Sequence, residues 1–386
     1  MKLFVLLLIS FPLAVVSQTK VSGVVLDKDN HKPLEFVDVF NGEKGTSSNA
    51  DGRFEFNIND SLVSFNLLGY EKKTLPIKNF NKDTVYLKSK FMELDEVMIS
   101  DIDEPIKGVF KKILVNYPLE PFAETFFMRC VLKKDNEIVK LQDLNGLLER
   151  QTLFSTSKSP MPKKNYVVEI KNMRKAGIEE KGDVYFEMFS FNEFFEAMIS
   201  LYMSPELYNY ELTFSQDREF IKYNFTPKED SKLKSVGYYL VDQEDNAFHE
   251  YYMLNQENDK AFSKRGDIKY RTYYYELDVK FRKDAKDNKH YLNIAKLTAK
   301  VEVINKDGVS AYYTAEYYWI AGNQGDYKVR DNTSLNRDIF KISKEYDPMF
   351  WENQNQLLLT KDMKEFLKNL DSDKKNEYKT ISNLSN

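Results

Sequence analysis

The amino-acid sequence predicts a mainly β protein, in which a small N-terminal β-sandwich precedes an antiparallel β-rich region with a few helices. Aromatic residues make up 14% of the chain, as 28 Phe and 25 Tyr against only 2 Trp, and Phe and Tyr fit the half-buried surfaces of strands. Short apolar runs separated by turn residues fill the chain up to residue 100. Beyond residue 119, apolar and polar residues alternate along longer runs.

Length and charge narrow the classes of protein to consider. A chain of 386 residues is long enough for two or three cores, and 42% hydrophobic with 30% charged residues is ordinary for a globular protein. The formal net charge is −4, from 56 basic and 60 acidic residues, and the signs are interspersed. Nucleic acid is therefore not an expected partner, since its affinity comes from clustered Lys and Arg.

The first 17 residues have the pattern of a secretory signal peptide. A short positive start precedes the apolar run 3–16, and Val15 and Ser17 are the small residues that place cleavage before Gln18. The run is too short to span a membrane, no cysteine follows it to carry a lipid, and no later segment is long and apolar enough. We expect an exported protein, in the periplasm or associated with the outer membrane, without a transmembrane span.

The single cysteine, Cys130, cannot form an intramolecular disulfide. Export without disulfides suits a Gram-negative envelope protein that packing stabilises. Cys130 lies in a run whose even positions are all apolar, namely Phe126, Met128, Cys130 and Leu132. This alternation favours a thiol in the core of a sheet over a reactive nucleophile.

Residues 18–100 are predicted to form the sandwich, because short strands alternate there with turn residues. The clearest turn is the hairpin signal Asn49-Ala50-Asp51-Gly52. Gly52 and Gly69 free the chain for positive φ. The clearest of the predicted strands are Val21–Leu26, Phe36–Phe40, Arg53–Ile58, Leu62–Leu68 and Thr84–Leu87. About seven such strands in about 80 residues are typical of a small β-sandwich.

Six motifs in this segment follow one another at suitable spacings: Val21-x-Gly23-x-Val25, Pro33-Leu34, Val37-x-Val39, Gly45-Thr46, Asp51-Gly52-x-Phe54-x-Phe56 and Leu68-Gly69-Tyr70. In this order they resemble the carboxypeptidase-D regulatory-like domain. Leu94-Asp95-Glu96-Val97 follows them, as in many proteins of Bacteroidota. The resemblance covers roughly a fifth of the chain, and it implies a prealbumin-like β-sandwich that serves as an accessory module.

Two activities found beside such modules are not expected here. A zinc carboxypeptidase needs a His-x-x-Glu pair and a distant His as metal ligands. None of the three histidines, His31, His249 and His290, is followed by Glu three residues later. A TonB-dependent receptor needs a plug and a 22-strand barrel, and the roughly 285 residues after the module are too few for them.

Residues 101–118 are predicted to be a linker and a helix. The acidic stretch Asp101–Pro105 precedes a segment, Ile106–Asn116, whose apolar residues recur at helical spacing. Tyr117-Pro118 should end the helix, because the residue before proline avoids the α region.

Residues 119–370 are predicted to form a β-rich domain with one apolar and one wet face. Apolar residues alternate with polar ones through Tyr273–Arg282 and Leu297–Val303. The turn Asn305–Gly308 then leads into a strand at Tyr312–Ile320. A meander is expected over the runs Phe220–Phe225, Gly237–Val241 and Ala247–Leu254.

Two helices should interrupt these strands. One is Asn192–Met203, and the other follows an N-cap at Thr360. The tail, residues 371–386, is polar and is expected to be disordered. With Tyr346–Asn353 before the closing helix, the region is similar to Bacteroidota proteins that join a regulatory-like module to a half-barrel. Lipoprotein carriers of the outer membrane share that architecture.

No motif in the chain predicts catalysis. A Gly-x-Ser-x-Gly elbow and a phosphate-binding loop are absent from the sequence. Glu179-Glu180 and Ser231–Lys234 are interpreted as polar turns, and Asp27-x-Asp29-Asn30 as a hairpin turn with too few oxygen ligands for Ca²⁺. We therefore predict no catalytic, cofactor-binding or metal-binding residue and no cofactor.

The main hypothesis is a non-catalytic cell-envelope protein that binds or docks an envelope protein, glycan or lipid partner. The tyrosine runs at Tyr273–Tyr275, Tyr312-Tyr313 and Tyr317–Trp319 allow a ligand platform, but alternation favours sheet packing. One alternative is a hydrolase of peptidoglycan or polysaccharide that uses Asp and Glu. The other is a lipid or lipoprotein carrier, which needs an open apolar cavity rather than one filled by Phe and Tyr.

Overall fold

The computed structural model describes residues 19–41, 44–58, 62–76, 84–90, 103–154, 162–179, 186–199, 207–215, 218–353, 357–372 and 379–384. The predicted signal peptide, residues 1–17, lies outside the described residues. The described chain forms a seven-stranded sandwich and a twelve-stranded sheet, so the predicted mainly β fold is confirmed. In these residues, no helix has the length and hydrophobicity needed to cross a membrane.

The N-terminal sandwich consists of two sheets, with strand orders β4-β1-β7 and β3-β2-β5-β6. Apolar side chains dominate its core: Val25, Val39, Val63 and Phe65 have no exposed surface. Burial of these side chains from both sheets holds the sandwich together. The strands are β1 (Thr19–Asp27), β2 (Asp38–Asn41), β3 (Lys44–Ser47), β4 (Arg53–Ile58), β5 (Leu62–Asn66), β6 (Lys73–Pro76) and β7 (Thr84–Leu87).

The turn at Gly52 forms as predicted, but it does not make a hairpin. Asn49 Oδ1 accepts the backbone N–H groups of Asp51 at 3.0 Å and Arg53 at 2.9 Å, as in an Asx turn. Gly52 has φ +70°, and a Cβ there would lie 2.5 Å from the Val25 carbonyl oxygen. The flanking strands β3 and β4 belong to different sheets, so the turn is a corner between the two layers.

The rest of the described chain is built on one antiparallel sheet with the order β11-β12-β13-β14-β16-β17-β18-β8-β9-β10-β19, in which β15 also pairs with β16. Most neighbours are consecutive hairpins, and β18 returns to pair with β8. Its elements are α1 (Asp103–Asn116), β8 (Phe122–Lys134), β9 (Glu137–Arg150), β10 (Tyr166–Glu179), α2 (Phe191–Ile199), β11 (Tyr208–Phe214), β12 (Phe220–Pro227), β13 (Ser235–Asp242), β14 (Phe248–Gln256), β15 (Ser263–Arg265), β16 (Ile268–Lys283), β17 (His290–Ile304), β18 (Ser310–Gln324), α3 (Pro348–Asn353), α4 (Lys361–Ser372) and β19 (Lys379–Ser382).

One face of this sheet, here called the inner face, packs against α1 and α2. The even positions of β8 lie on it, and Cys130 among them is 1% exposed, so the predicted core thiol is confirmed. Burial raises the pKa of the Cys130 thiol well above its usual value, which keeps it protonated and unreactive. Leu277, Val279 and Leu297 pack into the same core, as their alternation predicted.

The opposite or outer face is not uniformly wet, in contrast to the expectation. Phe127 and Val131, the odd positions of β8, are fully buried there, in a cluster with Tyr318, Trp351 and the sandwich residue Phe36. The sandwich and the C-terminal segment therefore cover the middle of this face. A strand with buried apolar residues at both odd and even positions, as β8 has, marks the covered region.

Two boundaries differ from the sequence expectation. Helix α1 begins at Asp103, inside the predicted acidic linker, because Pro105 is tolerated in the first turn, where N–H groups have no helical partner.

The tail contains strand β19, although we expected it to be disordered. β19 pairs with Ala176–Glu179 of β10, and the Asn383 side chain accepts the Lys175 N–H at 2.7 Å.

A buried group of charges on the outer face, here called the Asp143 cluster, joins three strands. Arg129 contacts both carboxylate oxygens of Asp143, at 2.7 and 2.9 Å, and Arg174 contacts Oδ2 at 2.6 Å. Arg129 and Asp143 are completely buried. Burial acts to raise the pKa of Asp143, but the two guanidinium groups outweigh it and hold this pKa below its usual value.

The Asp143 cluster also fixes the segment that fastens the sandwich to the large sheet. Arg129 donates to the carbonyl oxygens of Leu358 at 2.8 Å and Leu357 at 3.0 Å. Leu357 in turn forms a parallel bridge with Ser47 of the sandwich, and the Lys361 N–H donates to Asp51 Oδ2 at 3.0 Å. The two β structures are therefore connected through backbone groups that the buried arginine holds in place.

We predict that Asp143→Asn destabilises the protein by about 3–5 kcal/mol, because it leaves two arginines facing each other without a counter-charge. The free energy of unfolding from urea titration measures this. Glu71→Gln is the matched control, since Glu71 pairs with Lys88 at 3.0 Å on the exposed surface and such pairs contribute about 1 kcal/mol or less. Equal losses in the two variants would contradict the assignment.

Candidate functional site

The inner face of the large sheet is filled by its own aromatic side chains. Phe191, Phe194 and Phe195 of α2 have no exposed surface. The ring of Phe195 lies 5.3 Å from Trp319, which stacks on Phe126 at 4.5 Å. Helix α2 and these rings thus fill the inner face instead of leaving an open apolar cavity there.

A buried ion pair closes one end of this inner core. Arg150 Nε lies 3.4 Å from Glu124 Oε1, and the guanidinium sits 4.9 Å from the ring centre of Phe195 and 5.5 Å from that of Tyr166. Burial raises the pKa of Glu124 to about 7, although Arg150 opposes this. The pair anchors the rim of the sheet by cation–π contacts, and it faces the core rather than solvent.

Beside this pair, strand ends and turns surround a surface cavity, here called the rim cleft, with a volume of about 920 Å³. The start of β8, the end of β9, the β16–β17 turn and the end of β18 supply its walls. It is lined by Pro121, Phe122, Ala123, Glu149, Arg282, Asp284, Lys286, Asp287, Asn323, Gln324, Gly325, Asp326 and Tyr327. Its volume is in the range of cavities that hold small molecules.

The rim cleft combines half-buried rings with hydrogen-bonding groups. Phe122 and Tyr327 are half-buried, and Asn323 is exposed. Phe122 packs edge-on against Tyr291, with the ring centres 5.0 Å apart, so its position is fixed. Arg282 adds an exposed cation. Rings, amides and charges at one rim can bind a polar ligand by stacking and directed hydrogen bonds.

Most carboxylates of the rim cleft already hold the local backbone or a neighbour. Asp284 accepts the Lys286 N–H at 2.7 Å, Asp287 accepts the Tyr291 hydroxyl at 2.7 Å, and Glu149 accepts the Gln151 amide at 2.9 Å. These contacts shape the cleft walls. They give the carboxylates a structural role, which favours binding over paired acid–base chemistry.

Two of the three histidines meet near the C-terminal end of α1, in a group that the sequence did not predict. The ring centres of His249 and His290 lie 4.9 Å apart. His290 Nε2 and Lys283 Nζ lie 2.8 and 2.9 Å from the same oxygen of Asp245. His249 Nε2 is 3.6 Å from Asp242. Among the residues that the structure describes, no group of three or more His, Cys, Asp or Glu could hold a metal ion.

Burial sets the ionisation of His249. It lowers the pKa of His249 to about 4, and the neighbouring His290 adds to the effect, while Asp242 and Asp245 oppose it. His249 is therefore neutral at pH 7, and its ring packs against Phe220 with the ring centres 5.2 Å apart.

The tyrosine runs divide between packing and exposure. Tyr313, Tyr317 and Trp319 are buried in the inner core, as alternation predicted, whereas Tyr312 is 47% exposed. Asp27 accepts the N–H groups of Asp29 and Asn30 and the Tyr70 hydroxyl, so it stabilises a turn.

The residues of the rim cleft come from four distant polar turns and strand ends, and no spacing in the sequence brings them together.

Comparison with known proteins identifies one segment of the chain. Residues 21–99 match the family model of the CarboxypepD_reg-like domain, so this segment is the regulatory-like domain that its motifs predicted. The match covers the sandwich and not the large sheet. A search of curated proteins found no match.

Solved structures give only distant likenesses. Lipovitellin has a TM-score of 0.23 at 7% identity over 57% of this chain, which spans only 27% of lipovitellin. A LolA superfamily protein from Nitrosomonas europaea has a TM-score of 0.19 at 9% identity, over 59% of this chain and 94% of that one. The MucA/MucB complex of Pseudomonas aeruginosa has a TM-score of 0.18 at 8% identity, over 56% and 93%.

His249 predicts a pH dependence of stability. Its folded-state pKa of about 4 lies below the unfolded value of about 6.5, so the unfolded chain binds a proton that the folded protein does not. The free energy of unfolding is therefore not reduced by His249 above about pH 6.5. Through protonation of this histidine in the unfolded chain, it falls by up to about 3 kcal/mol as the pH drops to about 4. Urea titrations at several pH values should show a smaller decline for His249→Gln than for the wild type.

His31→Asn is the matched control, because His31 is an exposed histidine of the sandwich and asparagine tolerates its φ of +57°. This variant should keep the wild-type decline. A His249→Gln profile that runs parallel to the wild type would show that His249 does not cause the dependence.

Proposed function

We propose that this chain is a non-catalytic binding protein of the bacterial cell envelope, and that its rim cleft binds a hydrophilic glycan. The observation that carries the proposal is the composition of the rim cleft, in which Phe122 and Tyr327 share a cavity of about 920 Å³ with amide and charged side chains. Sugars offer apolar ring faces for stacking and hydroxyl groups for such polar partners.

An apolar ligand is less well supported. The inner face, where a carrier would need an open cavity, is filled by Phe191, Phe194, Phe195 and Trp319, none of which is exposed. To open that space, the protein would have to expose these rings at a cost of about 1.5–3 kcal/mol each. The rim cleft is already open and polar.

Location in the envelope rests on the signal-peptide pattern of residues 1–17 and on the regulatory-like domain at residues 21–99. We propose that the protein is exported and that this domain docks an envelope partner. The large sheet would then hold the rim cleft at a fixed position, since the segment around Leu357 joins the two β structures.

Binding to an array of neutral and acidic oligosaccharides and soluble peptidoglycan fragments tests the proposal. We expect at least one glycan to bind the wild type, and Tyr327→Ala to weaken it about fivefold or more, because an aromatic contact of this kind contributes about 1 kcal/mol. Tyr312→Ala is the matched control, since Tyr312 is exposed at the other end of β18 and should leave binding unchanged.

Other outcomes would overturn the proposal. Turnover of a glycan that is lost in Glu149→Gln would identify a hydrolase. Enhanced fluorescence of a fatty-acid probe with the wild type, but not with a Phe195→Trp variant that overfills the inner core, would identify a carrier. Absence of any glycan binding would refute the assignment of the rim cleft.

A further inference from the structure

The sandwich has an opening of its own on the side where its two sheets end. Strand β7 is the edge of one sheet, and β6 is the edge of the other. Residues 69–71, before β6, pair with residues 88–90, after β7, through the Tyr70–Ser89 bridge, whereas β6 and β7 are not paired with each other in the described residues. A cavity of about 600 Å³ lies there, here called the lysine cleft. It is separate from the rim cleft and from the Asp143 cluster, since it shares no residue with them.

Positive charge dominates the lysine cleft. Among the residues that the structure describes, its lining holds four lysines and one acidic residue: Lys28, Lys72, Lys73, Lys88 and Glu71. Glu71 pairs with Lys88 at 3.0 Å, which leaves three ammonium groups without a carboxylate in the lining. Such a surplus is notable in a chain of net charge −4, because a concave surface with one sign of charge concentrates its potential on a bound ion.

Local contacts hold these cations in position. Lys73 Nζ donates to the Tyr86 carbonyl oxygen at 3.0 Å and so spans the gap between β6 and β7. Lys72 Nζ lies 5.2 Å from the ring centre of Phe40. Tyr86 is itself 38% exposed, and its ring meets His31 edge-on at 5.5 Å. The walls of the cleft therefore offer ammonium groups, an imidazole and a phenol to a ligand.

Asp27, which precedes Lys28 in the sequence, is directed into the fold rather than into the cleft. Both oxygens of the Asp27 carboxylate are used inside the fold, one by the N–H groups of Asp29 and Asn30 and the other by the Tyr70 hydroxyl. Asp27 is 5% exposed, and it does not line the cavity.

We propose that the lysine cleft binds a phosphate group, carried either by an anionic lipid headgroup or by a soluble phosphorylated molecule. A phosphate presents several charged acceptor oxygens to donors on different walls, and each lysine supplies a compact charge with three donors. The cavity has room for a headgroup or a sugar phosphate but not for a folded nucleic acid. This inference does not depend on glycan binding at the rim cleft.

Binding is measured with the full mature chain against two kinds of probe. Titration calorimetry with inorganic phosphate and glucose 6-phosphate detects a soluble ligand. Co-sedimentation with phosphatidylcholine vesicles, with and without phosphatidylglycerol, detects a lipid headgroup. We expect binding to at least one probe, and we expect it to weaken as ionic strength rises.

The test variant is Lys28→Gln/Lys72→Gln, which removes two cleft charges from exposed positions. It should bind the probe about tenfold or more weakly. Lys20→Gln/Lys269→Gln is the control, because it removes the same charge from exposed lysines outside the cleft and should bind as the wild type does. Near-ultraviolet circular dichroism and the unfolding midpoint confirm that all variants are folded.

Different results identify the source of the phosphate and test the proposal itself. Selective loss of vesicle binding in the cleft variant identifies a lipid headgroup, and selective loss of glucose 6-phosphate binding identifies a soluble ligand. Absence of binding to every probe, or equal weakening in both double variants, would overturn the proposal. Tyr327→Ala should bind phosphate normally, so failure of the rim cleft and failure of the lysine cleft are distinguishable.

Discussion

The contact between Asp143 and its two arginines is the constraint on which the arrangement of this protein depends. It lies across β8, β9 and β10, so a slip of one residue in either pairing would move a charged side chain to the opposite, apolar face. Arg129 also binds the carbonyl oxygens of Leu357 and Leu358, and that segment contacts the sandwich. One buried carboxylate thus fixes strand register and the attachment of the N-terminal domain together.

The second constraint is the filling of the inner face. An open sheet of this length has to cover its apolar surface, and α2 does so with three phenylalanines. Phe194 packs on Tyr317 and Trp319, Phe195 packs on Trp319, and Phe191 packs on Phe126. Because the inner face is filled, the candidate binding surfaces lie where strands end. The rim cleft lies at the ends of β8, β9, β16 and β18, and the lysine cleft lies between the edges of the sandwich sheets.

Local patterns in the sequence predicted the features that depend on residues close together in the chain. Alternation identified the inner positions of β8 and β17, and the Asx turn at Asn49 formed because Gly52 adopts positive φ. Long-range pairing was not accessible in the same way. The bulge between Thr272 and Tyr274 shifts Tyr273 out of its expected alternation. β19 is four polar-rich residues long and forms only because the exposed edge of β10 accepts it.

The pairing of charged residues in the fold explains why the candidate sites could not be predicted from the sequence. Positive and negative residues alternate in sequence, yet the fold sorts them: Lys296 pairs with Glu35 at 2.6 Å beneath the sandwich, and Lys280 lies between Asp278 and Glu250. Pairing neutralises charge on the covered outer face. The lysines of the lysine cleft follow β1 and β7 or lie at the start of β6. Only the fold brings these strand ends together, so the surplus of positive charge there is a property of the tertiary structure and becomes available for a ligand.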